Sequence, residues 1–313
     1  MSRSRPAASP QESAVLTRRV TLLSVTVAAS LVVLKLLAWL QSGSIALLAS
    51  MADSGLDLLA SLVTFLAVRY AHTPPDEEHR FGHGKAEAFA SLMQAGLVFA
   101  SAALIGQEAI RRLIDPEPVS HSGWAMAVMA LSTVLTGVLI AAQTWVLKRT
   151  SSVAVSGDRA HYLTDLGSNL LALGGIAAAA YMQTAALDGL AALAVAALLL
   201  AGAVEVFREA AVQLMDRELP DEDRARIVAL ITEDERLSDV HQLRTRASGP
   251  FIHIQLHVDV DPDLTLEAAH RIIVAAENRV LEAFPAADIL IHADPKGRAE
   301  PHGGAFAEAS GIA

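Results

Sequence analysis

The sequence predicts a membrane-embedded bundle of six α-helices followed by a small water-soluble α+β domain. Three observations carry this reading. The 313-residue chain is 53% hydrophobic, with a mean hydropathy of +0.40, too apolar for an ordinary soluble protein. Its apolar runs are concentrated between Val20 and about Phe207. From about Met215 onward, charged and apolar residues alternate as they do in soluble proteins. We read residues 1–13 as a disordered N-terminal tail, 14–212 as the membrane domain, 213–295 as the soluble domain and 296–313 as a disordered tail.

A bilayer core needs about 20 mostly apolar residues per helix. Six stretches supply them: Val20–Leu40, Ser44–Val68, Ala86–Ile110, Gly123–Leu147, Asp158–Met182 and Leu187–Phe207. Trp39, Trp124 and Trp145 fall near the ends of these stretches, where amphipathic rings favour the interface. Arg3, Arg5, Arg18 and Arg19 precede the first span. Arg69, Arg80 and Lys85 lie between the second and third, and Lys148, Arg149 and Arg159 between the fourth and fifth. Only Arg111 and Arg112 fall on the opposite side, so the positive-inside rule places both termini in the cytoplasm, as six crossings require. Lys35 lies close enough to the outer end of its span to snorkel to the interface, and we give it no functional role.

The remaining charges narrow the function. A net charge of −10 without a basic block gives no footprint for nucleic acid. The chain has no cysteine, so any bound metal is held by nitrogen and oxygen. The second span, SMADSGLDLLAS, places Asp53 and Asp57 four residues apart, and the fifth, GDRAHYLTDLGSN, does the same for His161 and Asp165. Residues i and i+4 share one helix face. Two such helices brought together offer three carboxylates and one imidazole, a set that suits zinc and also Fe2+, Mn2+, Co2+ or Cd2+. Each intramembrane Asp costs about 2.5–3.5 kcal/mol to insert, which a cation or bound protons would offset. The plainer reading is hydrogen bonding of these carboxyls to Ser54, Ser168 or Asn169.

After residue 220 the periodicity gives a helix near DEDRARIVALITED, strands at about 241–246 and 251–260, a helix at about 266–283 and a strand at about 288–292. In the second strand Ile252, Ile254, Leu256, Val258 and Val260 share one face, while His253, Gln255, His257 and Asp259 share the other.

The segments SGSIALLASMADSGLDLLAS, HRFGHGKAEAFASL, HYLTD, DVHQLRTRASGPFIHIQLHVDV and ILIHADP resemble the cation diffusion facilitator family, in particular its bacterial zinc and ferrous-iron efflux branch. The resemblance runs from about Ala14 to Pro295. It implies that Asp53, Asp57, His161 and Asp165 form the transport site for a divalent cation, Zn2+ first, with Fe2+ and Cd2+ as further cargoes. The family's loop metal site falls on Asp76, His79 and His83. A charge pair that locks the membrane domain to the cytosolic one falls on Lys85 and Asp216. The soluble domain then has a metallochaperone-like, ferredoxin-like fold that dimerises and binds a pair of metal ions through His241, His257, His270, His292 and Asp294, with Asp294 bridging. The bacterial branch implies an inner membrane.

Ligation needs deprotonated carboxylates and neutral imidazole, so protons compete with metal for the same groups, and that competition couples export to proton entry. His161 is the natural proton carrier, since an unperturbed imidazole titrates at about 6.5. A membrane-anchored metal sensor or storage protein is the rival reading, but it needs no intramembrane carboxylates. No Walker motif and no nucleophile–base set indicates an enzyme.

Overall fold

The computed structural model describes residues 9–42, 45–114, 123–182 and 185–298. Six long helices come first: α1 (Pro10–Ser42), α2 (Ile45–Ala71), α3 (Ala86–Ile114), α4 (Gly123–Leu147), α5 (Val153–Met182) and α6 (Ala185–Leu214). They are followed by α7 (Asp221–Thr232), β1 (Ser238–Ser248), β2 (Phe251–Val260), α8 (Leu266–Ala283) and β3 (Ala287–Pro295). The chain divides into two compact units, 1–212 and 213–313.

Helix α1 starts at Pro10, inside the segment 1–13 expected to lack structure. The local chemistry explains the early start. Glu12 N–H donates to Ser9 Oγ at 3.2 Å, and Ser9 N–H donates to Glu12 Oε2 at 3.1 Å. This is a reciprocal capping box, with proline at the first helical position, where its missing N–H costs nothing. The rest of that tail reading, on residues 1–8, lies outside the described residues, as does the tail reading for 299–313.

Among the described residues four helical segments are long and apolar enough to cross a bilayer: Pro10–Gln41, Asp53–Ala71, Ala86–Arg111 and Ala130–Leu147. The first unit is therefore a transmembrane helical domain. Helices α5 and α6 contain the fifth and sixth stretches marked in the sequence, and α5 is diluted by Asp158, Arg159, His161 and Asp165. The bundle is turned inside out relative to a soluble protein. Leu59, Leu66, Val134, Val138 and Leu198 are exposed, whereas Thr21, Ser24, Ser61, Thr64, Gln94 and Gln143 are buried. Lipid removes any drive to hide apolar side chains, so polar groups and close packing hold the helices together.

Close approach is most demanding where α5 meets α3. A Cβ at Gly157 would lie 3.0 Å from Ser91 Oγ, 3.1 Å from Ser91 Cα and 3.2 Å from Gln94 Cβ. Only glycine lets the two backbones come this near, and the contact sits one turn before His161. At the start of α5, Ser152 Oγ donates to the buried Glu87 of α3 at 2.6 Å, tying the same pair of helices together.

The second unit has one three-stranded sheet in the order β1-β2-β3, with β1 antiparallel and β3 parallel to β2. Ser248 pairs with Phe251 across a two-residue turn whose first position, Gly249, has φ 55°, a conformation that favours glycine. The five alternate apolar residues of β2 pack on Ile227 and Ile231 of α7 and on Ile272, Ala276 and Val280 of α8. Thr265 caps α8 by accepting from the Ala268 N–H at 3.2 Å. The core thus covers one face of β2 and leaves the histidine face away from it.

Replacing Gly157 with leucine overpacks the α3–α5 contact and costs about 1–3 kcal/mol. The expected outcome is a lower thermal unfolding midpoint for the detergent-solubilised chain. Gly202→Ala, at a position where an added Cβ meets nothing within 4 Å, raises the midpoint instead through helix propensity.

Candidate metal centre

The deepest of the candidate sites joins α2 to α5. His161 Nε2 lies 3.0 Å from Asp57 Oδ1 and 3.9 Å from Asp165 Oδ2. One donor atom each from Asp57, His161 and Asp165 falls within a 4.8 Å group. His161 is buried at 5% exposure, and its Nδ1 is buried with no hydrogen-bond partner. The helical i+4 spacing places Asp165 on the face of His161, and the α2–α5 contact supplies Asp57. The fourth expected residue, Asp53, is exposed one turn earlier on α2 and stands outside this trio. The rival reading for these carboxyls finds little support, because Ser54 Oγ accepts from Lys35 and Ser168 Oγ donates to the Thr164 carbonyl at 2.9 Å.

Lys35 departs from expectation. Its side chain is half-buried, and Nζ donates to Ser54 Oγ at 2.6 Å instead of reaching outward. It faces the carboxylates of Asp57, Asp165 and Asp53. A cation inside the bundle finds compensation in those charges, which outweighs the gain from snorkelling.

One turn before His161, Asp158 is fully buried at the meeting point of five helices. Gln143 Nε2 of α4 donates to its Oδ2 at 2.9 Å, and Gln94 Nε2 of α3 to its Oδ1 at 3.3 Å. Gln143 also reaches Ser24 of α1 at 3.2 Å, and Gln94 reaches Thr64 of α2 at 2.9 Å. Tyr162 shares a hydrogen bond of 2.7 Å with Ser61 of α2. This polar knot fixes the register of α2 against α5, and hence the spacing of the trio. Little in the sequence marks it, because Asp158 opens the fifth apolar stretch and glutamines in apolar helices carry no charge signal. The i, i+3 spacing of Asp158 and His161 was the clue available.

The loop before α3 gathers a second trio, Asp76, His79 and His83, within the same 4.8 Å limit. Asp76 Oδ1 accepts from the His79 backbone N–H at 2.6 Å and sits 3.2 Å from His79 Nδ1, while Oδ2 is 3.1 Å from His83 Nε2. The His79 backbone N–H, partly opposed by desolvation, and the His79 side chain hold the Asp76 carboxyl below the usual range. No helical turn is needed for this chelate. A turn with Gly82 at φ 78° brings His83 back, and Thr73 fixes its Nδ1 at 3.0 Å.

In the second unit Asp294 is the hub. Its Oδ2 is 2.9 Å from His257 Nδ1 and 3.2 Å from His241 Nε2, and its Oδ1 is 3.4 Å from His292 Nε2. Register explains the convergence, since His241 pairs with His257 and His257 with His292 across adjacent strands. Burial alone would raise the Asp294 carboxyl, but the His257 hydrogen bond and the fields of His257, His292 and His241 outweigh it and hold it below its usual range. The carboxylate is therefore ionised at neutral pH, and its stabilising contribution is lost only as pH falls through that depressed value. Two imidazoles and a carboxylate fit a zinc-like ion in donor type, so His241, His257 and Asp294 are the residues that would hold one. His270 is exposed on α8 beside Glu277 and does not join this cluster within the chain. His253, left out of the expected set, pairs with Asp288 at 3.2 Å. Asp216 accepts from Arg246 at 3.2 Å within its own unit.

Since the Lys35 amine faces the carboxylates of the α2–α5 trio, Lys35→Met should tighten Zn2+ binding there by roughly tenfold in equilibrium dialysis. Unchanged affinity would mean the amine is electrostatically remote from the site.

Residues 21–215 match the family model described as the cation efflux transmembrane domain, and residues 219–296 match the cation efflux protein cytoplasmic domain. The cation-efflux pump FieF of Citrobacter koseri is 38% identical over 283 residues, covering 90% of this chain and 93% of that protein. FieF of Klebsiella pneumoniae is 38% identical over the same length and coverage. A candidate zinc transporter, CzrB, solved in its zinc form, is 36% identical over 27% of this chain and 98% of its own, with a TM-score of 0.26. With both family models matched in order along one chain, this protein belongs to the cation efflux, or cation diffusion facilitator, family.

Proposed function

We propose that the chain is a proton-coupled antiporter that exports a divalent transition-metal cation, Zn2+ before Fe2+ or Cd2+, from the cytoplasm of a bacterial cell across the inner membrane. The observation that carries this is the trio of Asp57, His161 and Asp165 between α2 and α5, with His161 buried. Asp53 joins as the fourth ligand once the helices close on an ion, and all six long helices cross the bilayer with both termini inside.

Charge supports the exchange. With His161 neutral, Asp53, Asp57 and Asp165 contribute −3 when ionised and Lys35 contributes +1 when protonated, leaving −2. A divalent ion neutralises that sum, and so do two protons. Each intermediate with an unbalanced charge in the bundle is costly, so the site passes between metal-loaded and proton-loaded states. A bundle that rocks around a fixed site then releases metal outside as protons displace it.

The second unit serves as the cytosolic metal-binding and dimerisation domain. His270 is exposed on α8, and in a homodimer a second copy of the chain brings it to the ligand set around Asp294. Asp76, His79 and His83 form a further metal site in the loop before α3.

In proteoliposomes with an imposed proton gradient, the native chain should move Zn2+ at a rate that rises with the gradient. Asp57→Ala should reduce that flux by two orders of magnitude or so, since a missing ligand and an unbalanced charge act together. Equal flux in the two would falsify the assignment of the site.

A further inference from the structure

A second group of possible ligands lies at the Asp294 end of the sheet. Asp239, His241 and Asp259 each offer one donor atom, and those atoms fall within 4.8 Å of one another. Asp259 is only 7% exposed, and its Oδ1 is buried with no hydrogen-bond partner. Its place in the sheet makes this costly. It pairs with Ser238 of β1 on one side and with Asp294 of β3 on the other, so two buried carboxylates stand side by side. Asp294 is served by three imidazoles, but none is paired with Asp259. A carboxylate oxygen buried without a donor beside a second buried carboxylate calls for a cation.

The backbone is bent to bring the other two residues there. Strand β1 is irregular on both sides of His241, with register shifts between Ser238 and His241 and between His241 and Arg244. Asp239 and Gln242 hold φ of 48° and 49°, a strained region for residues with side chains. Bulges of this kind re-aim side chains. Here they point the Asp239 carboxylate and the His241 ring to the end of β2 that carries Asp259. His241 Nδ1 is 2.8 Å from the Asp239 carbonyl, while Nε2 serves Asp294.

We propose that Asp239, His241 and Asp259 form a separate divalent-cation site in the second unit, sharing His241 with the Asp294 cluster. It rests on the reading that this unit binds metal. Two carboxylates and one imidazole, with Asp239 open to water, make a harder and wetter donor set than the two imidazoles and one carboxylate next to it. Such a set suits Mn2+ or Fe2+ better than the neighbouring set does. The shared ring makes the two occupancies compete, so the cytosolic unit distinguishes harder from softer divalent ions.

The test uses the full-length chain in detergent, carrying Asp57→Asn and Asp76→Asn to weaken the two clusters of the first unit, with Mn2+ binding read by electron paramagnetic resonance. Adding Asp239→Asn should weaken Mn2+ binding about tenfold or more. Its exposed position keeps the fold out of the comparison. Asp259→Asn should do the same, while His257→Ala, which dismantles the neighbouring cluster, should leave Mn2+ binding within about twofold. Unchanged binding in Asp239→Asn overturns the proposal. So does a loss in His257→Ala as large as that in Asp259→Asn, which would place the ion on Asp294. Because the background already lacks a complete transport site, the result does not depend on whether the chain is an antiporter.

Discussion

The membrane unit is organised by one constraint: a charge placed among apolar helices must find its compensation inside the bundle. Asp57 and Asp165 find it in His161, Lys35 in Ser54 and the nearby carboxylates, and Asp158 in two glutamine amides. No water is available to substitute, so each charge dictates which helices touch and at what height. Gly157 follows from this, because the Gln94–Asp158 bond requires α3 and α5 to approach more closely than a side chain at that position allows.

The constraint also separates what holds the bundle from what it carries. Asp158 is satisfied by neutral amide donors on two other helices, α3 and α4. The trio one turn further along is satisfied only in part, since one imidazole nitrogen is shared between two carboxylates while the other has no partner. A satisfied network rigidifies, and an unsatisfied one invites a ligand. Both lie on α5, a satisfied network one turn from a cluster that is not.

Much of this arrangement was legible in the sequence. The i, i+4 pairs on α2 and α5 announce themselves because a carboxylate in an apolar run has no other explanation. Alternation along β2 separates the core residues from His253, His257 and Asp259. What was not legible depends on partners far along the chain. Lys35 could snorkel or turn inward, and only the location of Ser54 on a neighbouring helix decides. Gln94 and Gln143 are uncharged and lie 49 positions apart, so nothing local links them to Asp158. The β1 irregularities leave no sequence signal, since Asp239 and Gln242 are not glycines. Ser9-Pro10 with Glu12 was a readable helix start, hidden by the polar composition around it.

The same donor types serve opposite ends in the two units, and solvent decides which. Around Asp294 and Asp259 the two carboxylates are buried, but Asp239 and His292 beside them are exposed, so water can fill open coordination positions there. Occupancy there is a matter of affinity alone. Between α2 and α5 water cannot play that part, and an empty site must be protonated or left with a charge it cannot spread. In the proposed antiport, the same desolvation that makes the site expensive to build would tie binding and release in the bundle to proton movement. A cluster of like composition becomes a transport site or a resident metal site according to whether it is buried in lipid-facing helices or set on a hydrated strand.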